Sequence, residues 1–146
     1  YAGHAGLFSN VYDLAKILQM MKNGGEYGGK RYLKPATVQY FTKRHDSKSR
    51  RGMGWDKPET RKGWWSPVSR LVSPQTFGHE GFTGTCLWVD PETDIVFVLL
   101  SNRTYPTRKH MKYVREKVRH RIQDRVFRSL FYGQFAKENA DSLAAN

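Results

Sequence analysis

A histidine in a glycine-rich segment is the first feature of this sequence that could do chemistry. The segment reads Gly78-His79-Glu80-Gly81. An imidazole is largely neutral near pH 7, so it can bind a substrate without carrying a fixed charge. Two interpretations stay open, because His79 either contributes to a site or is a hydrogen-bonded residue of an edge strand. Strand alternation would point Glu80 to the opposite face from His79, so Glu80 is not expected to be catalytic.

Other reactive residue types give weaker signals. His4 lies among small residues just before a predicted helix, where it either lines a cleft or bonds loop backbone. Cys86 is the only cysteine, which excludes an intrachain disulfide and offers no cysteine cluster for a metal. Its place on a predicted strand favours a buried apolar side chain over a nucleophile. We therefore expect no metal and no cofactor.

Residues 44–74 are polar and rich in Gly, Ser and Pro, with Trp55, Trp64 and Trp65 among them. We predict a long loop with a short strand at 52–56. Loops of this length are unusual in compact domains and often shape a binding site. The tryptophans either line such a site or anchor the loop to the core.

Two helices are predicted in the N-terminal third. Ser9 can cap the first, and Gly24-Gly25 ends it. Its apolar positions repeat at helical spacing: Val11, Leu14, Ala15, Leu18 and Met21. The second helix begins at Lys34-Pro35 and should carry Val38 and Phe41 inward.

Three antiparallel strands and a long helix are predicted for the rest of the chain. Residues 85–89 and 95–100 alternate as strands around a turn at 90–94, and an extended piece at 76–81 precedes them. The helix is predicted from 106 or 107 to 131, stopped by Gly133, before a polar tail that frays. Its apolar stripe comprises Val114, Val118, Ile122, Val126 and Leu130. The fold class is α+β, with the strands packed by the C-terminal helix.

The 146 residues carry a net charge of +12, from 25 Lys+Arg against 13 Asp+Glu. The basic residues gather at 43–51 and 108–128, without a zinc-finger or RNA-binding pattern. This distribution favours a solvated face, or a face docked on other protein, over nucleic-acid binding. Binding of DNA through the last helix would show a steep salt dependence. No apolar run approaches the roughly 20 residues that a membrane span needs.

Four blocks resemble serine β-lactamase-like (penicillin-binding-protein-like) hydrolases, in the order that this family shows. The first is Gly3-His4-Ala5-Gly6-Leu7-Phe8-Ser9 with Asp13-Leu14-Ala15-Lys16, similar to "GxAGLxST…DLAKF". The second is Gly52-Met53-Gly54-Trp55, similar to "GLGW". The third is the segment 77–91, which resembles the third motif of the family and the hairpin after it. The fourth is Ser101-Asn102-Arg103 with Tyr105-Pro106, similar to "L-x-N-x-x-x-P".

The resemblance implies acyl transfer through a serine acyl-enzyme. By it, His79-Glu80-Gly81 occupies the third motif, commonly K-T-G, and the backbone N–H of Phe82 is the oxyanion donor. The implied substrate-binding residues are His79, Gly81, Thr83, Trp64, Trp65 and His4. A histidine in place of lysine would weaken the fixed positive charge that suits a penicillin carboxylate, and relatives with H-x-G include esterases and D-aminopeptidases.

The nucleophile motif is absent from the sequence. No serine is followed three residues later by lysine, and Ser47 with Arg50 comes nearest. Neither Tyr-x-Asn nor Ser-x-Asn occurs. We expect residues 1–132 to be the C-terminal portion of a β-lactamase-like domain, followed by a polar tail at 133–146, with the catalytic serine and base upstream. The isolated chain should then be inactive, and the strand at 95–100 should have an open edge that permits self-association.

Two function classes follow. The chain is either part of a hydrolase acting on an ester, a D-amino-acid peptide or a cell-wall fragment, or a non-catalytic module binding cell-wall or acidic glycan. The resemblance places the parent protein in the periplasm or otherwise outside the cytoplasm. The first and fourth blocks also resemble bacterial fusions with a glycoside hydrolase family three β-N-acetylglucosaminidase.

Overall fold

An antiparallel sheet with helices on both faces organises the computed structural model, which describes residues 4–131. In chain order the elements are α1 (Val11–Lys22), β1 (Glu26–Tyr27), β2 (Lys30–Arg31), α2 (Pro35–Thr42), β3 (Phe77–Glu80), β4 (Cys86–Asp90), β5 (Ile95–Leu99), α3 (Lys112–Arg115) and α4 (Val118–Leu130). The α+β class and the three antiparallel strands predicted from the sequence are confirmed.

The main sheet has the order β3-β4-β5, and strand alternation gives it two apolar faces. On one face, Phe77 and Val89 pack with Leu18 and Met21 of α1. On the other face, Cys86 and Trp88 pack with Val68 of the long loop, and α4 covers this side. The sheet therefore lies between α1 and α4.

Helix α1 is capped by Asn10, not by Ser9 as predicted. The Asn10 Oδ1 atom accepts from the Asp13 N–H at 3.1 Å, and its Nδ2 donates to the Asp13 carboxylate at 2.7 Å. The Ser9 hydroxyl instead contacts the Asn10 carbonyl at 3.5 Å. Asn10 is the better cap because its side chain bonds both the backbone and the side chain of the third helical residue.

Helix α2 begins at Pro35 as predicted, with Val38 buried. The prediction for Phe41 was wrong, since this side chain is 44% exposed. Its ring lies edge-on to Tyr40, at a centroid distance of 6.0 Å. The inward face of this short helix is made by Val38 and Thr42, four residues apart.

The strand predicted at 52–56 is wrong for the described residues, where only an isolated bridge joins Asp56 to Gly78. The turn residues Gly52 and Gly54 interrupt the extended run, with Gly54 at a positive φ of 74°. Trp55 anchors the loop by packing edge-on against Phe77, at a centroid distance of 5.2 Å.

The single long helix predicted from 106 or 107 to 131 was also wrong. Thr107 Oγ1 accepts from the Lys109 N–H in a local turn, and α3 begins only at Lys112. Lys117 then adopts a left-handed conformation, with φ 50° and ψ 43°, and separates α3 from α4. No glycine or proline marks this break in the sequence.

The predicted apolar stripe is not the buried face of α4. Gln123 and Phe127 are buried, whereas Val114 and Leu130 are exposed. Gln123 takes the inward position because its Oε1 accepts from the buried Ser69 N–H of the long loop at 3.0 Å. Val118, Ile122 and Val126 are half-buried beside this face.

The predicted helix stop at Gly133 and the polar tail at 133–146 lie outside the described residues. Within residues 4–131, none of the helices has the length and apolar character needed to cross a membrane.

Candidate functional site

Strand β3 places His79 at an exposed position on an outer strand of the sheet. Its neighbour Gly78 is bridged on the side away from β4 by Asp56, with backbone N···O distances of 2.7 and 3.0 Å. His79 and Glu80 diverge, because Glu80 pairs with Arg119 of α4 at 3.1 Å. The predicted opposite orientation of the two side chains is therefore confirmed.

Both ring nitrogens of His79 have hydrogen-bond partners. Its Nδ1 lies 2.8 Å from the Glu80 carbonyl oxygen, which can only accept. Its Nε2 lies 3.2 Å from Nη1 of Arg51, which can only donate. These two contacts fit a ring that donates from Nδ1 and accepts at Nε2, and they place the charge of Arg51 beside His79.

Asp56 organises the arginines beside His79. Its side chain is buried and accepts from Arg50 Nε at 2.8 Å and Arg50 Nη2 at 3.0 Å. Arg51 Nη2 lies farther away, at 3.4 Å from Oδ2. A paired guanidinium keeps this buried carboxylate compensated, and the loop that carries all three residues is thereby fixed against β3.

The turn after β3, residues 81–85, is held by hydrogen bonds on its carbonyl oxygens and is called the site turn below. The Gly81 N–H donates to the Thr85 carbonyl at 2.8 Å and closes it. Arg119 Nη1 donates to the carbonyls of Gly81 at 3.1 Å and Thr85 at 3.0 Å. One side chain of α4 thus fixes both ends of the site turn.

The segment after β5 binds the carbonyl oxygens in the middle of the site turn. Arg103 donates through its backbone N–H to Thr83 at 2.8 Å and through Nε to Phe82 at 2.7 Å. The Tyr113 hydroxyl donates to the Gly84 carbonyl at 2.9 Å. All five carbonyl oxygens of the site turn are therefore occupied.

The N–H of Phe82 has no acceptor among residues 4–131. Phe82 is 69% exposed, and the Arg103 guanidinium lies 4.4 Å from its ring centroid. A backbone donor that is held rigidly and left free is suited to bind a developing oxyanion, because it needs no reorganisation during reaction. The oxyanion role of Phe82 stays a prediction that this hydrogen-bonding pattern motivates.

Glycine is needed at two positions of the site turn. A Cβ on Gly81 would lie 2.2 Å from Thr85 Oγ1. Gly84 has φ +102°, and a Cβ there would lie 2.6 Å from Ser101 Oγ. A side chain at either position would displace the hydrogen-bonding partners of the turn.

A cavity of about 480 Å³ beside α4 is lined by two of the three loop tryptophans and not by His79. Trp64 and Trp65 are 58% and 53% exposed and share this cavity with Lys117 and His120. The anchoring alternative thus applies to Trp55, whereas the other two rings are open to a ligand. Guanidinium groups stack on both rings, from Arg61 at 4.0 Å on Trp64 and from Arg50 at 5.4 Å on Trp65.

A second cavity, of about 570 Å³, lies on the side of the sheet that carries His79. His79 and Gly81 line it together with Leu7 and Phe8 from the segment before α1. His4 is exposed and is not part of this lining. The structure therefore brings His79, Gly81 and the adjoining site turn together, while His4, Trp64 and Trp65 stand apart from them.

Burial alters two acid groups behind the site. It raises the pKa of Glu80, an effect that the Arg119 charge opposes. It also raises the pKa of the Cys86 thiol to about 12. Both effects disfavour the charged forms.

Sequence reasoning missed the five residues that position the site: Arg51, Asp56, Arg103, Tyr113 and Arg119. Arg103 lies within a recognised block, so its place in that block could have drawn attention to it. The other four occur in segments whose composition suggested only a polar loop or a solvated helix. Among the described residues, no group of three or more His, Cys, Asp or Glu could hold a metal ion.

Comparison with known proteins gives one family and a set of similar relatives. Residues 1–119 match the family model described as Beta-lactamase. The chain is 39% identical over 104 residues to proteins named "Putative D-alanyl-D-alanine carboxypeptidase" from Salmonella gallinarum, Salmonella paratyphi B and Salmonella newport. The match covers 71% of this chain and 24% of each relative, so the chain spans about a quarter of the length of these curated relatives.

Proposed function

Because this chain belongs to the β-lactamase family, we propose that it forms part of a serine hydrolase, supplying the oxyanion strand and one wall of the cleft. The attacking serine comes from a segment outside this sequence, since the 146 residues contain neither S-x-x-K nor Y-x-N. The serine adds to the substrate carbonyl, and the Phe82 N–H stabilises the oxyanion that forms. His79 and Gly81 contact the substrate at the edge of β3.

The observation that carries this proposal is the hydrogen bonding of the site turn. Five carbonyl oxygens are bound by Arg103, Tyr113, Arg119 and the turn's own N–H groups, while the Phe82 N–H has no acceptor within residues 4–131. A surface loop without a role has no evident need for three side chains that together bind four of its five carbonyl oxygens. Such support is what a preorganised oxyanion donor requires.

The proposed substrate is a peptide that ends in D-amino acids, of the kind found in bacterial cell walls. The name of the Salmonella relatives, which describes them as D-alanyl-D-alanine carboxypeptidases, supports this class over a simple ester. Such substrates lie outside the cytoplasm, which is where the proposal places the parent protein. A fusion with a β-N-acetylglucosaminidase would suit the same cell-wall role, and the coding sequence of the whole protein tests it.

The test uses the full-length protein that contains this sequence. It should release D-alanine from an acylated D-Ala-D-Ala peptide and become labelled by a fluorophosphonate probe at a serine outside these 146 residues. Phe82→Pro, which removes the donor N–H, should lower kcat roughly 100-fold or more. Labelling of a serine within this chain, or full activity of Phe82→Pro, would contradict the proposal.

The tryptophan cavity supports a second candidate, a non-catalytic module that binds acidic glycan. Trp64 and Trp65 offer exposed rings next to Lys117, an arrangement that suits stacking and anion binding. Titration with oligoglucuronate should then quench tryptophan fluorescence, and Trp64→Ala should abolish the effect. Trp55→Phe is the matched control, since Trp55 packs on Phe77 instead. Binding without any serine labelling of the full-length protein would favour this candidate.

A further inference from the structure

We propose that the tryptophan cavity is a second ligand site of the hydrolase itself, and that an acidic sugar bound there raises turnover at the site turn. The inference rests on the proposed hydrolase function and adds regulation to it. It differs from the non-catalytic module, because glycan binding and peptide cleavage occur here in one protein. The cavity, of about 480 Å³, is lined by residues of the long loop and of α4.

Both tryptophan rings of the cavity are exposed, and each is held in place by an arginine. The Arg61 guanidinium lies 4.0 Å from the Trp64 ring centroid, and the buried Glu59 carboxylate binds it through contacts of 2.7 and 3.0 Å. Trp65 carries the Arg50 guanidinium in the same way, at 5.4 Å. Rings that are fixed in advance lose little conformational entropy when a ligand stacks on them. The pair is therefore suited to act as a binding platform.

The polar groups of the cavity indicate an anionic ligand that also carries hydroxyl groups. The Lys117 ammonium has no hydrogen-bond or ion-pair partner among residues 4–131, and neither do the indole N–H groups of Trp64 and Trp65. Asp124 adds a carboxylate to the lining. An acidic sugar offers a carboxylate to the lysine, hydroxyl groups to the indoles and to Asp124, and an apolar ring face to the tryptophans.

Two elements that are distant in sequence form the cavity, so a ligand in it bonds both. The long loop contributes Trp64 and Trp65, and α4 contributes Lys117. A hydrogen bond between His120 Nε2 and the Ser66 carbonyl oxygen, at 2.7 Å, already joins them. A ligand that contacts both elements binds more tightly when the loop is packed on α4 than when it is lifted away. Binding therefore shifts the population toward the packed conformation.

The packed conformation is also the one that supports the site. Arg50 stacks on Trp65 and bonds the Asp56 carboxylate at 2.8 and 3.0 Å. The Asp56 backbone is bridged to Gly78 of β3. On the side of α4, Arg119 bonds the carbonyl oxygens at both ends of the site turn. Occupancy of the tryptophan cavity therefore stabilises both supports of the proposed oxyanion donor.

The experiment uses the full-length protein, oligoglucuronate as the effector and an acylated D-Ala-D-Ala peptide as the substrate. Binding is measured by isothermal titration calorimetry, and turnover by the release of D-alanine. Saturating oligoglucuronate should raise kcat/KM roughly 5- to 10-fold, a factor at the lower end of what coupling between two sites gives. Half of the activation should occur at the calorimetric Kd. A neutral oligoglucose of the same length should neither bind nor activate.

Four variants separate binding from activation. Lys117→Gln should weaken oligoglucuronate binding roughly 10-fold, through loss of a charge-assisted hydrogen bond, and shift activation to higher concentrations by the same factor. Trp64→Ala should abolish both. Arg50→Lys cannot stack on the ring and also bond Asp56 in bidentate fashion, so it should bind within about threefold of wild type but lose most of the activation. Lys109→Gln removes an exposed charge outside the cavity and should respond as wild type does.

Each other outcome overturns a definite statement. Absence of binding, binding without a change in kcat/KM, or activation that survives Trp64→Ala would overturn the inference alone. A lower kcat/KM would show that the glycan competes for the cleft, which also contradicts it. A full-length protein that is inactive on the peptide with and without oligoglucuronate would overturn the proposed hydrolase function, and glycan binding in that case would support the non-catalytic module.

Discussion

Burial sets the chemistry of Cys86, a residue that could be mistaken for a nucleophile. The side chain is 3% exposed, and burial raises its pKa to about 12. Because the thiolate is the reactive form, a chromogenic disulfide reagent at pH 7.5 should label the folded protein at least ~100-fold more slowly than the unfolded one. Labelling of the native protein at the rate of a free thiol would show that Cys86 is open to solvent.

The buried Lys57 side chain should make the free energy of unfolding depend on pH. The side chain is buried, with Nζ bonded to the carbonyls of Gln75 at 3.0 Å and Thr76 at 3.1 Å. Burial, and secondarily the charge of Arg44, lowers its pKa from 10.5 to about 8. Between these values the unfolded chain binds more protons than the folded one, so the contribution to stability rises with pH.

The expected measurement is the free energy of unfolding of wild type and Lys57→Met across pH 7–11. The free energy of unfolding of wild type minus that of Lys57→Met should rise by on the order of 3 kcal/mol between pH 8 and 10.5. It should be constant below pH 8 and above pH 10.5. Raising the pH also lowers the net positive charge of the chain and changes the stability of both proteins. Taking the difference between the two proteins removes this shared effect. Parallel curves for the two proteins would show that Lys57 titrates normally.

Single residues were predictable from the sequence where their role is local. His79 was identified from adjacent motif residues, and Cys86 from its strand. Arg51 was not, because its contact with His79 spans 28 residues of chain and depends on how the loop folds back over β3. A polar loop sequence carries no periodic signal for such a path.

At the scale of elements, the start of α1 can be tested because two candidates stand side by side. Asn10 bonds both the N–H and the carboxylate of Asp13, whereas Ser9 makes no bond to the helix N–H groups. Asn10→Ala should therefore lower the free energy of unfolding by about 1 kcal/mol. Ser9→Ala, the control, should change it by a few tenths at most, and the reverse order would restore the sequence-based prediction.

The break between α3 and α4 allows a residue from each helix to bond the site turn. Tyr113 lies before the break at Lys117 and Arg119 after it, and both bind the turn. In an unbroken helix, residues six apart point about 120° apart around the axis, so both could not reach one turn. The left-handed Lys117 redirects the chain between them. Sequence patterning predicted one helix from 106 or 107 to 131, which contains both α3 and α4, but it had no glycine or proline signal for this change.

Arg119→Lys tests whether α4 positions the oxyanion donor. Lysine keeps the charge but has a single nitrogen, so it cannot reproduce both the Nε contact with Glu80 and the Nη1 bonds to the Gly81 and Thr85 carbonyls. Exchange of the hydrogen-bonded Gly81 and Gly84 amides should accelerate roughly 5- to 100-fold, in line with the loss of one or two hydrogen bonds. In the full-length protein kcat should fall while KM changes little.

The matched control is Arg121→Lys, on the same helix. Arg121 is exposed and lies 3.8 Å from Glu116 on the surface. It should leave both amide exchange and kcat unchanged. If Arg119→Lys affected only the melting temperature, its role would be structural and the preorganisation argument would fail.

At the scale of the whole molecule, β5 is an edge strand with no partner beyond β4 among the described residues. The register pairs Trp88 with Phe97 and Leu87 with Val98. The backbone N–H and C=O of Gly78 bond Asp56 and so point away from β4. In an antiparallel sheet this direction alternates from residue to residue and follows the register across the strands. The N–H and C=O of Phe97 therefore point toward β4, and those of Val98 point outward. These outward groups form a template for another strand.

The isolated chain should therefore self-associate with increasing concentration, as measured by sedimentation velocity. Val98→Pro removes one outward N–H without removing a β4–β5 hydrogen bond, so it should reduce association while the near-ultraviolet circular dichroism is retained. Phe97→Pro breaks the ladder itself and should unfold the sheet. We expect Phe97→Pro to be the more damaging of the two substitutions, because the register makes only Phe97 a hydrogen-bonding partner of β4. Association that is unaffected by Val98→Pro would place the contact elsewhere, with the exposed apolar side chains Leu7 and Phe8 as the next surface to vary.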